Sequence, residues 1–214
     1  MVYAKEIFVK NEVYPNYPPK KMGILGGTFN PVHCGHIELA KHVKQELGLD
    51  EILLMPCANP PHKDEILATP QQRLHMVKLC ETHDISASDM EIKRAGTTYT
   101  IDTMRQLTQL YQNTEFTFII GADTLFELCS WKNCREIFRL TKFVCVRRKN
   151  VTGLCAEMQK LKENYGADIT LSAYTGLFVS SSYIRSRVEK GCTISGLVPK
   201  KVEEYIIANG LYQR

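Results

Sequence analysis

Apolar residues recur along this chain in two patterns, short unbroken runs and longer stretches with helical spacing. Met22 to Leu25 is a short apolar run that ends at Gly26-Gly27, a pattern that predicts a buried strand followed by a tight turn. From Gly35 to Leu47 the apolar residues return every three or four positions, which predicts an amphipathic helix, and Gly48 suits its C′ position. The patterned region therefore begins with a strand, a glycine turn and a helix.

The same alternation continues towards the end of the chain. Thr69-Pro70-Gln71-Gln72 combines an N-cap, a proline at the first helical position and a capping-box glutamine, which predicts a helix through Leu79. Further strands are predicted at 51–55, 115–120 and 142–146, and further helices at 101–112, 153–165, 182–190 and 199–209. This alternation favours an α/β fold of the Rossmann-like, doubly wound type, with a mainly parallel sheet and helices on both faces.

Composition limits the class of protein without identifying it. The chain has 214 residues, of which 44% are hydrophobic and 23% charged, as in ordinary globular proteins. Residues 1–21, which end in a proline-rich stretch, are predicted to be an N-terminal extension to a single domain at 22–214. The net charge of +4 is spread along the whole length, which argues against a nucleic-acid partner.

Membrane and redox features point to the cytoplasm. No apolar run approaches membrane-spanning length and the first residues lack the apolar core of a signal peptide, so we expect a cytoplasmic protein with no membrane partner. The eight cysteines include no Cys-x-x-Cys pair, which disfavours a zinc ribbon or a redox pair and predicts reduced, mostly buried thiols. The pattern leaves the oligomeric state open and permits a homo-oligomer.

The turn between the first strand and the first helix holds the strongest candidate chemistry. Ligands of open α/β sheets bind beyond the carboxyl ends of the strands, and here Gly26, Gly27 and Thr28 precede a helix N-terminus that favours anions. The spacing fits neither the dinucleotide fingerprint nor the Walker A pattern. His33 and His36 can both donate hydrogen bonds to one polyphosphate. Taken alone, the pair is better explained by a metal site or by a helix start of no functional weight.

Two segments resemble the signatures of one enzyme superfamily. Gly26-Gly27-Thr28-Phe29-Asn30-Pro31-Val32-His33-Cys34-Gly35-His36 resembles the His-x-Gly-His signature of the α/β nucleotidyltransferases. Val179-Ser180-Ser181-Ser182-Tyr183-Ile184-Arg185 resembles their Ile-Ser-Ser-Thr-x-Ile-Arg motif, although helix capping explains the serines as well when the segment is taken alone. Together the two segments imply an ATP-binding cradle of Gly26, Gly27, Thr28, Phe29, Gly35, Ser180, Ser181, Ser182 and Ile184, with His33, His36 and Arg185 as catalytic residues.

Further short motifs resemble, in the same order, the nicotinate mononucleotide adenylyltransferases of this superfamily. They are Pro60-Pro61-His62-Lys63, residues 94–100, residues 119–123, Ser130-Trp131 and residues 209–212, so that the likeness runs from about Lys21 to Tyr212. The resemblance implies that nicotinate mononucleotide contacts Asn30, Lys63, Thr98, Tyr99, Asp123, Trp131 and Arg147. Without it, Trp131 equally suits a core aromatic, Asp123 a helix N-cap and Arg147 a solvated surface position.

The chain departs from that family in two places. The family often has aspartate where this chain has Asn30, which puts any acidic role at that position in doubt. The lead-in before Lys21 is also longer than the family usually shows.

The implied reaction is in-line attack by the phosphate of nicotinate mononucleotide on the α-phosphorus of ATP, with pyrophosphate as leaving group. Such transfers leave the protein mainly to position two anions and to stabilise developing charge. Mg²⁺ is expected on the polyphosphate, held through water and phosphate oxygens, and no protein ligand is predicted. Three alternatives remain: a sister transferase such as pantetheine-phosphate adenylyltransferase, a non-catalytic nucleotide-binding module, and a metallohydrolase built on the two histidines.

Overall fold

A parallel sheet organises the part of the chain that the computed structural model describes, residues 20–58, 67–94, 96–148, 151–176 and 179–213. Its strands are β1 (Lys20–Gly27), β2 (Glu51–Pro56), β3 (Ile85–Ala87), β4 (Thr114–Gly121), β5 (Lys142–Val146) and β6 (Ile169–Leu171). The six strands lie in the order β3-β2-β1-β4-β5-β6, and every adjacent pair is parallel. The predicted α/β, Rossmann-like fold is confirmed.

Helices cover both faces of this sheet. They are α1 (Cys34–Leu47), α2 (Pro70–Lys78), α3 (Met90–Arg94), α4 (Thr100–Leu110), α5 (Ala122–Leu125), α6 (Cys134–Leu140), α7 (Leu154–Tyr165), α8 (Ser181–Glu189) and α9 (Lys200–Ala208). Leu25 of β1 belongs to a core formed with α1, α2, α8 and α9, whereas its neighbour Ile24 belongs to one formed with α4. Successive strand residues thus point to opposite faces, as the pleat requires.

The strand order locates the place where a ligand can enter. From β1 the chain moves outward through β2 and β3, and then returns to the other side of β1 with β4. The carboxyl ends of β1 and β4 are therefore neighbours from which the following connections diverge. Open α/β sheets bind their ligands in the crevice at such a point.

Helix-end signals in the sequence predict the observed ends well. Gly48 follows α1 in the left-handed conformation, with φ of 59°. The Thr69 hydroxyl accepts a hydrogen bond from the Gln72 N–H at 3.2 Å, and the Thr69 N–H donates to the Gln72 side chain at 2.8 Å, which forms the predicted capping box. The short elements β3, β6, α3, α5 and α6 were absent from the prediction.

The cysteines form no disulfide, but fewer of them are buried than predicted. All eight are free thiols. Burial raises the pKa of Cys80 to about 12 and that of Cys145 to about 11, whereas Cys155 and Cys192 are exposed.

Among the described residues, no helix is long and apolar enough to cross a membrane. Since β1 begins at Lys20 and residues 1–19 lie outside the described residues, the boundary of the predicted extension stays a prediction.

Candidate active site

Two aromatic rings shape the loop that follows β1. A Cβ atom at Gly26 would lie 3.3 Å from the ring of Phe118, and one at Gly27 would lie 3.3 Å from the ring of Phe29. Both approaches are tight, so ring packing explains the two glycines more directly than the phosphate approach expected from the sequence. Phe29 has a left-handed φ of 49°, and the Asn30–Pro31 peptide bond is cis. The left-handed residue Phe29 turns the chain between β1 and α1.

His33 and His36 cap the start of α1 through one nitrogen each. The His36 N–H donates to Nδ1 of His33 at 3.3 Å, and the His33 N–H donates to Nδ1 of His36 at 3.3 Å. The two rings stack with centroids 3.6 Å apart, and the edge of Phe29 meets His36 at 4.9 Å between ring centroids. The pair is a reciprocal cap of the kind that serine and glutamate usually form.

The capping bonds determine which nitrogen of each neutral ring carries the proton. Burial lowers the pKa of His33 to about 4, so its ring is neutral at pH 7. A neutral imidazole that accepts a hydrogen bond at Nδ1 carries its proton at Nε2. His33 therefore keeps an Nε2–H donor, and Nδ1 of His36 is occupied by the same kind of capping bond.

The serine-arginine segment at the start of α8 is bonded to the loop after β1. Ser181 donates from Oγ to the Pro31 carbonyl at 2.9 Å, and Arg185 donates from Nη1 to the Asn30 carbonyl at 2.9 Å. These bonds join residues 150 and 155 positions apart in the sequence. Ser180 caps α8 by accepting from the Tyr183 N–H at 3.1 Å, so the capping role weighed from the sequence is also present.

A single open cavity of about 1020 Å³ lies beside these two segments. Most residues predicted to bind substrates line it: Gly26, Gly27, Thr28, Phe29, Asn30, His33, Gly35, His36, Thr98, Trp131, Arg147, Ser180, Ser181, Ser182 and Arg185. Its volume lies at the upper end of the ~300–1,000 Å³ that small-molecule sites usually have, so it is large enough for a nucleotide.

Three predicted site residues do not line the cavity, and a fourth lies outside the described residues. Ile184 is fully buried in the core beneath α8 and does not line the cavity. Tyr99 does not line it either; it stands before α4 with its ring 4.3 Å from Lys132 Nζ. Asp123 is exposed and pairs with Arg148 instead of facing the cavity. Lys63 lies outside the described residues.

The wall beyond β4 and β5 combines an aromatic pair with positive charge. Trp131 meets Phe118 edge to face, with ring centroids 6.1 Å apart and planes inclined by 79°. Arg147 and Arg148, which directly follow β5, both line the cavity. The arrangement offers a flat aromatic surface near cations, which suits a heteroaromatic ligand that carries negative charge.

Several residues of the site had no recognised signal in the sequence. Arg73 of α2 is fully buried and donates to the Thr28 carbonyl at 2.7 Å and to the Ala58 carbonyl at 2.8 Å, which ties the loop after β1 to that after β2. Glu91 lines the cavity and accepts from the Thr103 hydroxyl at 2.7 Å, and burial raises its pKa. Arg148 had a weak signal, because it extends the basic run after Arg147.

A metal site built on the two histidines is disfavoured by their geometry. Nδ1 of each ring already accepts a main-chain hydrogen bond. Within the described residues, no group of three or more His, Cys, Asp or Glu side chains is placed to hold a metal ion. A structural or catalytic zinc needs three or four such ligands, so the described residues give the metallohydrolase alternative no support.

Comparison with known proteins identifies relatives over nearly the whole chain. The cytidylyltransferase-like family model matches residues 24–187. A probable nicotinate-nucleotide adenylyltransferase of Desulfitobacterium hafniense is 37% identical over 204 residues, which cover 92% of this chain and 98% of that protein. A protein of the same description from Dehalococcoides mccartyi is 40% identical over 203 residues, covering 91% and 98% of the two chains.

Solved structures share the fold at lower identity. The nicotinic acid mononucleotide adenylyltransferase of Plasmodium falciparum, complexed with NaAD, superposes with a TM-score of 0.74 at 21% identity, over 90% of this chain and 97% of that one. A putative nicotinate-nucleotide adenylyltransferase from Vibrio parahaemolyticus superposes with a TM-score of 0.61 at 24% identity, over 91% and 96% of the two chains.

Proposed function

Because this chain belongs to the nicotinate-nucleotide adenylyltransferases, a group within the cytidylyltransferase-like family, we propose that it transfers the adenylyl group of ATP to nicotinate mononucleotide. The products are nicotinate adenine dinucleotide and pyrophosphate. One bond forms, between a phosphate oxygen of nicotinate mononucleotide and the α-phosphorus of ATP, and one breaks, between that phosphorus and the oxygen bridging to the β-phosphate. The reaction belongs to NAD biosynthesis.

The single observation that carries this proposal is the junction between the two phosphate-binding segments. Arg185 and Ser181 are hydrogen-bonded to main-chain carbonyls of the loop after β1, and both segments line the same cavity. Donors from the two segments therefore converge on one ligand. A triphosphate is the ligand with enough acceptor oxygens to use them all.

We propose that three side chains bind the phosphates that take part in the reaction. Nε2–H of His33 and of His36 donates to non-bridging oxygens of ATP. Of the two histidines, His36 is the one proposed to stabilise the transition state. Arg185 holds the leaving pyrophosphate, because a guanidinium presents a planar fork to phosphate. Such donors are already oriented before substrate arrives, so they stabilise the charge that develops on the oxygens during transfer.

The wall beyond β4 and β5 is the proposed site of nicotinate mononucleotide. The pyridine ring lies against Trp131, and Thr98 offers its main chain to the nicotinate carboxylate. Arg147 offsets the negative charge of this substrate, with Arg148 beside it. Tyr99 and Asp123 do not line the cavity and are left out of this assignment.

Mg²⁺ is proposed to arrive with ATP. Among the described residues lining the cavity, Glu91 is the one carboxylate, and it already accepts a hydrogen bond from Thr103. The described part of the wall thus offers no cage of oxygen ligands, and the proposed metal is held by phosphate oxygens and water. Its chemical contribution is to neutralise polyphosphate charge.

The reducing cytoplasm is the proposed compartment. All eight cysteines are free thiols, and two of them, Cys155 and Cys192, are exposed to solvent. Exposed thiols persist unpaired where glutathione and thioredoxin keep them reduced.

The test is a substrate comparison. Purified protein with Mg-ATP is offered nicotinate mononucleotide, nicotinamide mononucleotide and phosphopantetheine in separate reactions, and pyrophosphate release is followed. We expect the highest kcat/KM with nicotinate mononucleotide, and no turnover after chelation of the metal. Fast turnover with phosphopantetheine alone would assign the protein to the sister transferases, and binding of ATP without turnover would assign it to nucleotide-binding modules.

A further inference from the structure

Tyr212, near the end of the chain, reaches back to the loop after β1. Its hydroxyl donates to Oδ1 of Asn30 at 2.9 Å, a contact between residues 182 positions apart. The side chain is buried and does not line the cavity. The tyrosine therefore contacts Asn30 from the protein interior and not from the cavity.

Asn30 joins this tyrosine to Arg185. The main-chain carbonyl of Asn30 accepts from Arg185 Nη1 at 2.9 Å, while its side-chain oxygen accepts from Tyr212. Asn30 is itself buried and lines the cavity. The bond from Tyr212 thus restrains the side chain of Asn30, and a shift of the Asn30 backbone would move the carbonyl that holds the arginine.

The backbone on both sides of the contact adopts an unfavourable conformation. Of the described non-glycine residues, Phe29, Asn133 and Tyr212 have positive φ, and the values at Phe29 and Tyr212 are 49° and 65°. Aromatic residues rarely adopt this region, and it persists only where surrounding contacts impose it. Phe29 directly precedes Asn30, and Tyr212 donates the hydrogen bond to Asn30. Two of the three residues with positive φ are therefore at, or next to, the ends of one hydrogen bond.

Two guanidinium groups lie close to the Tyr212 hydroxyl. Burial raises the pKa of Tyr212, and the positive charges of Arg185 and Arg73 oppose that shift. Arg73 in turn holds the Thr28 carbonyl of the same loop. The hydroxyl is thus placed among the groups that fix the loop from its protein side.

We propose that Tyr212 is a positioning residue for adenylyl transfer, which holds the Asn30 side chain so that the Asn30 carbonyl keeps Arg185 aimed at the phosphates. The proposal rests on the proposed function. It predicts an effect on turnover that exceeds any effect on folding, because the hydroxyl orients a group that acts in the transition state.

The experiment removes the hydroxyl alone. In Tyr212→Phe we expect kcat for pyrophosphate release to fall about tenfold, the rate equivalent of one hydrogen bond, with KM for ATP changed far less. Tyr165→Phe is the matched control, since Tyr165 ends α7, packs against Phe138 and does not line the cavity, and we expect its kcat to equal that of the wild type.

A double-mutant cycle connects the effect to Asn30. In an Asn30→Ala background, Tyr212→Phe should cause no further loss of kcat, because the acceptor is already gone. Additive losses would overturn the proposed route through Asn30.

Further outcomes separate this proposal from the proposed function. A wild-type protein without turnover would refute the function itself. An active wild type with an unchanged kcat in Tyr212→Phe would overturn the positioning role alone. Loss of cooperative unfolding in Tyr212→Phe would assign the hydroxyl to the fold instead of the reaction, which also overturns the proposal.

Discussion

His33 and His36 serve the fold and the proposed chemistry through different ring nitrogens. Nδ1 of each accepts a main-chain N–H at the start of α1, which leaves Nε2–H as the donor of the neutral ring. A lysine or arginine in either place would supply positive charge but could not accept the capping bond. Histidine is thus required both for the helix cap and for the proposed phosphate contact.

Replacement of His36 tests its proposed contact with the reacting phosphates. We expect His36→Ala to lower kcat/KM about 10²- to 10³-fold, since removal of one preorganised donor has this effect in comparable sites. Steady-state pyrophosphate release measures it. His83→Ala is the control, because that side chain is 90% exposed and does not line the cavity. A loss of tenfold or less would remove His36 from the transition state.

Protonation of His33 should weaken the fold in mild acid. Its pKa is about 4 in the folded protein, whereas an unfolded chain returns it to about 6.5. The unfolded state therefore binds the proton first as pH falls below 6.5, and stability is lost until the folded state also binds it near pH 4. Between pH 7.5 and 5.0 the free energy of unfolding should fall by about 2 kcal/mol through this residue.

Urea unfolding of the wild type and of His33→Asn at the two pH values isolates that contribution. Asparagine keeps an acceptor for the capping bond but does not titrate, so its variant should lose about 2 kcal/mol less on acidification. Equal losses in the two proteins would show that His33 is not buried as a neutral ring.

At the scale of elements, local signals predicted structure where they were complete within a few residues. The capping box at Thr69 and the left-handed Gly48 fix helix ends through contacts with adjacent turns. The strands β3 and β6 contain three residues each, too few for an alternating pattern to show. They exist because the neighbouring strands β2 and β5 offer a free edge to pair with.

The same distinction separates the predicted and unpredicted parts of the site. The phosphate-binding segments are contiguous in sequence, so their residues could be identified from it. Arg73 and Tyr212 reach the site through contacts with Thr28 and Asn30, which lie 45 and 182 positions away. No local pattern marks Arg73, and the motif at 209–212 marks Tyr212 without indicating what it contacts, because the environment of both residues is created only by the complete fold.

Gly48 provides a test of the helix end. Its φ of 59° is left-handed, and a Cβ atom there would meet nothing within 4 Å, so substitution adds backbone strain without a clash. Gly48→Ala should therefore lower the free energy of unfolding by about 1 kcal/mol, and Gly48→Asn by less, since asparagine tolerates this conformation. Denaturant unfolding gives both values. An alanine variant as stable as the wild type would contradict the left-handed cap.

At the scale of the whole molecule, the proposed ATP site connects the beginning and the end of the described chain. Loop residues after β1 contact α8 and the turn after α9, so a ligand held between them adds a further link between distant segments. Because unfolding separates these segments, ligand binding and folding are thermodynamically coupled.

ATP alone should consequently stabilise the protein. At a concentration of 100 Kd we expect the free energy of unfolding to rise by about 2.7 kcal/mol, measured by urea unfolding with Mg-ATP and without the second substrate. Arg185→Gln should need more ATP for the same gain. Arg139→Gln, at an exposed position of α6 outside the cavity, should respond as the wild type does. An equal ATP requirement in Arg185→Gln would contradict its contact with the phosphates.

The order of strands also places the two proposed substrates on different sides of the cavity. In the proposed assignment, the segments following β1 and opening α8 bind the nucleotide, whereas the segments that follow β4 and β5 carry Trp131 and Arg147. Trp131 packs against a separate apolar cluster from the one beneath α1 and α8. The proposed assignment therefore predicts that replacing residues around Trp131 changes which acceptor molecule is used, while the side of the crevice that binds ATP stays intact.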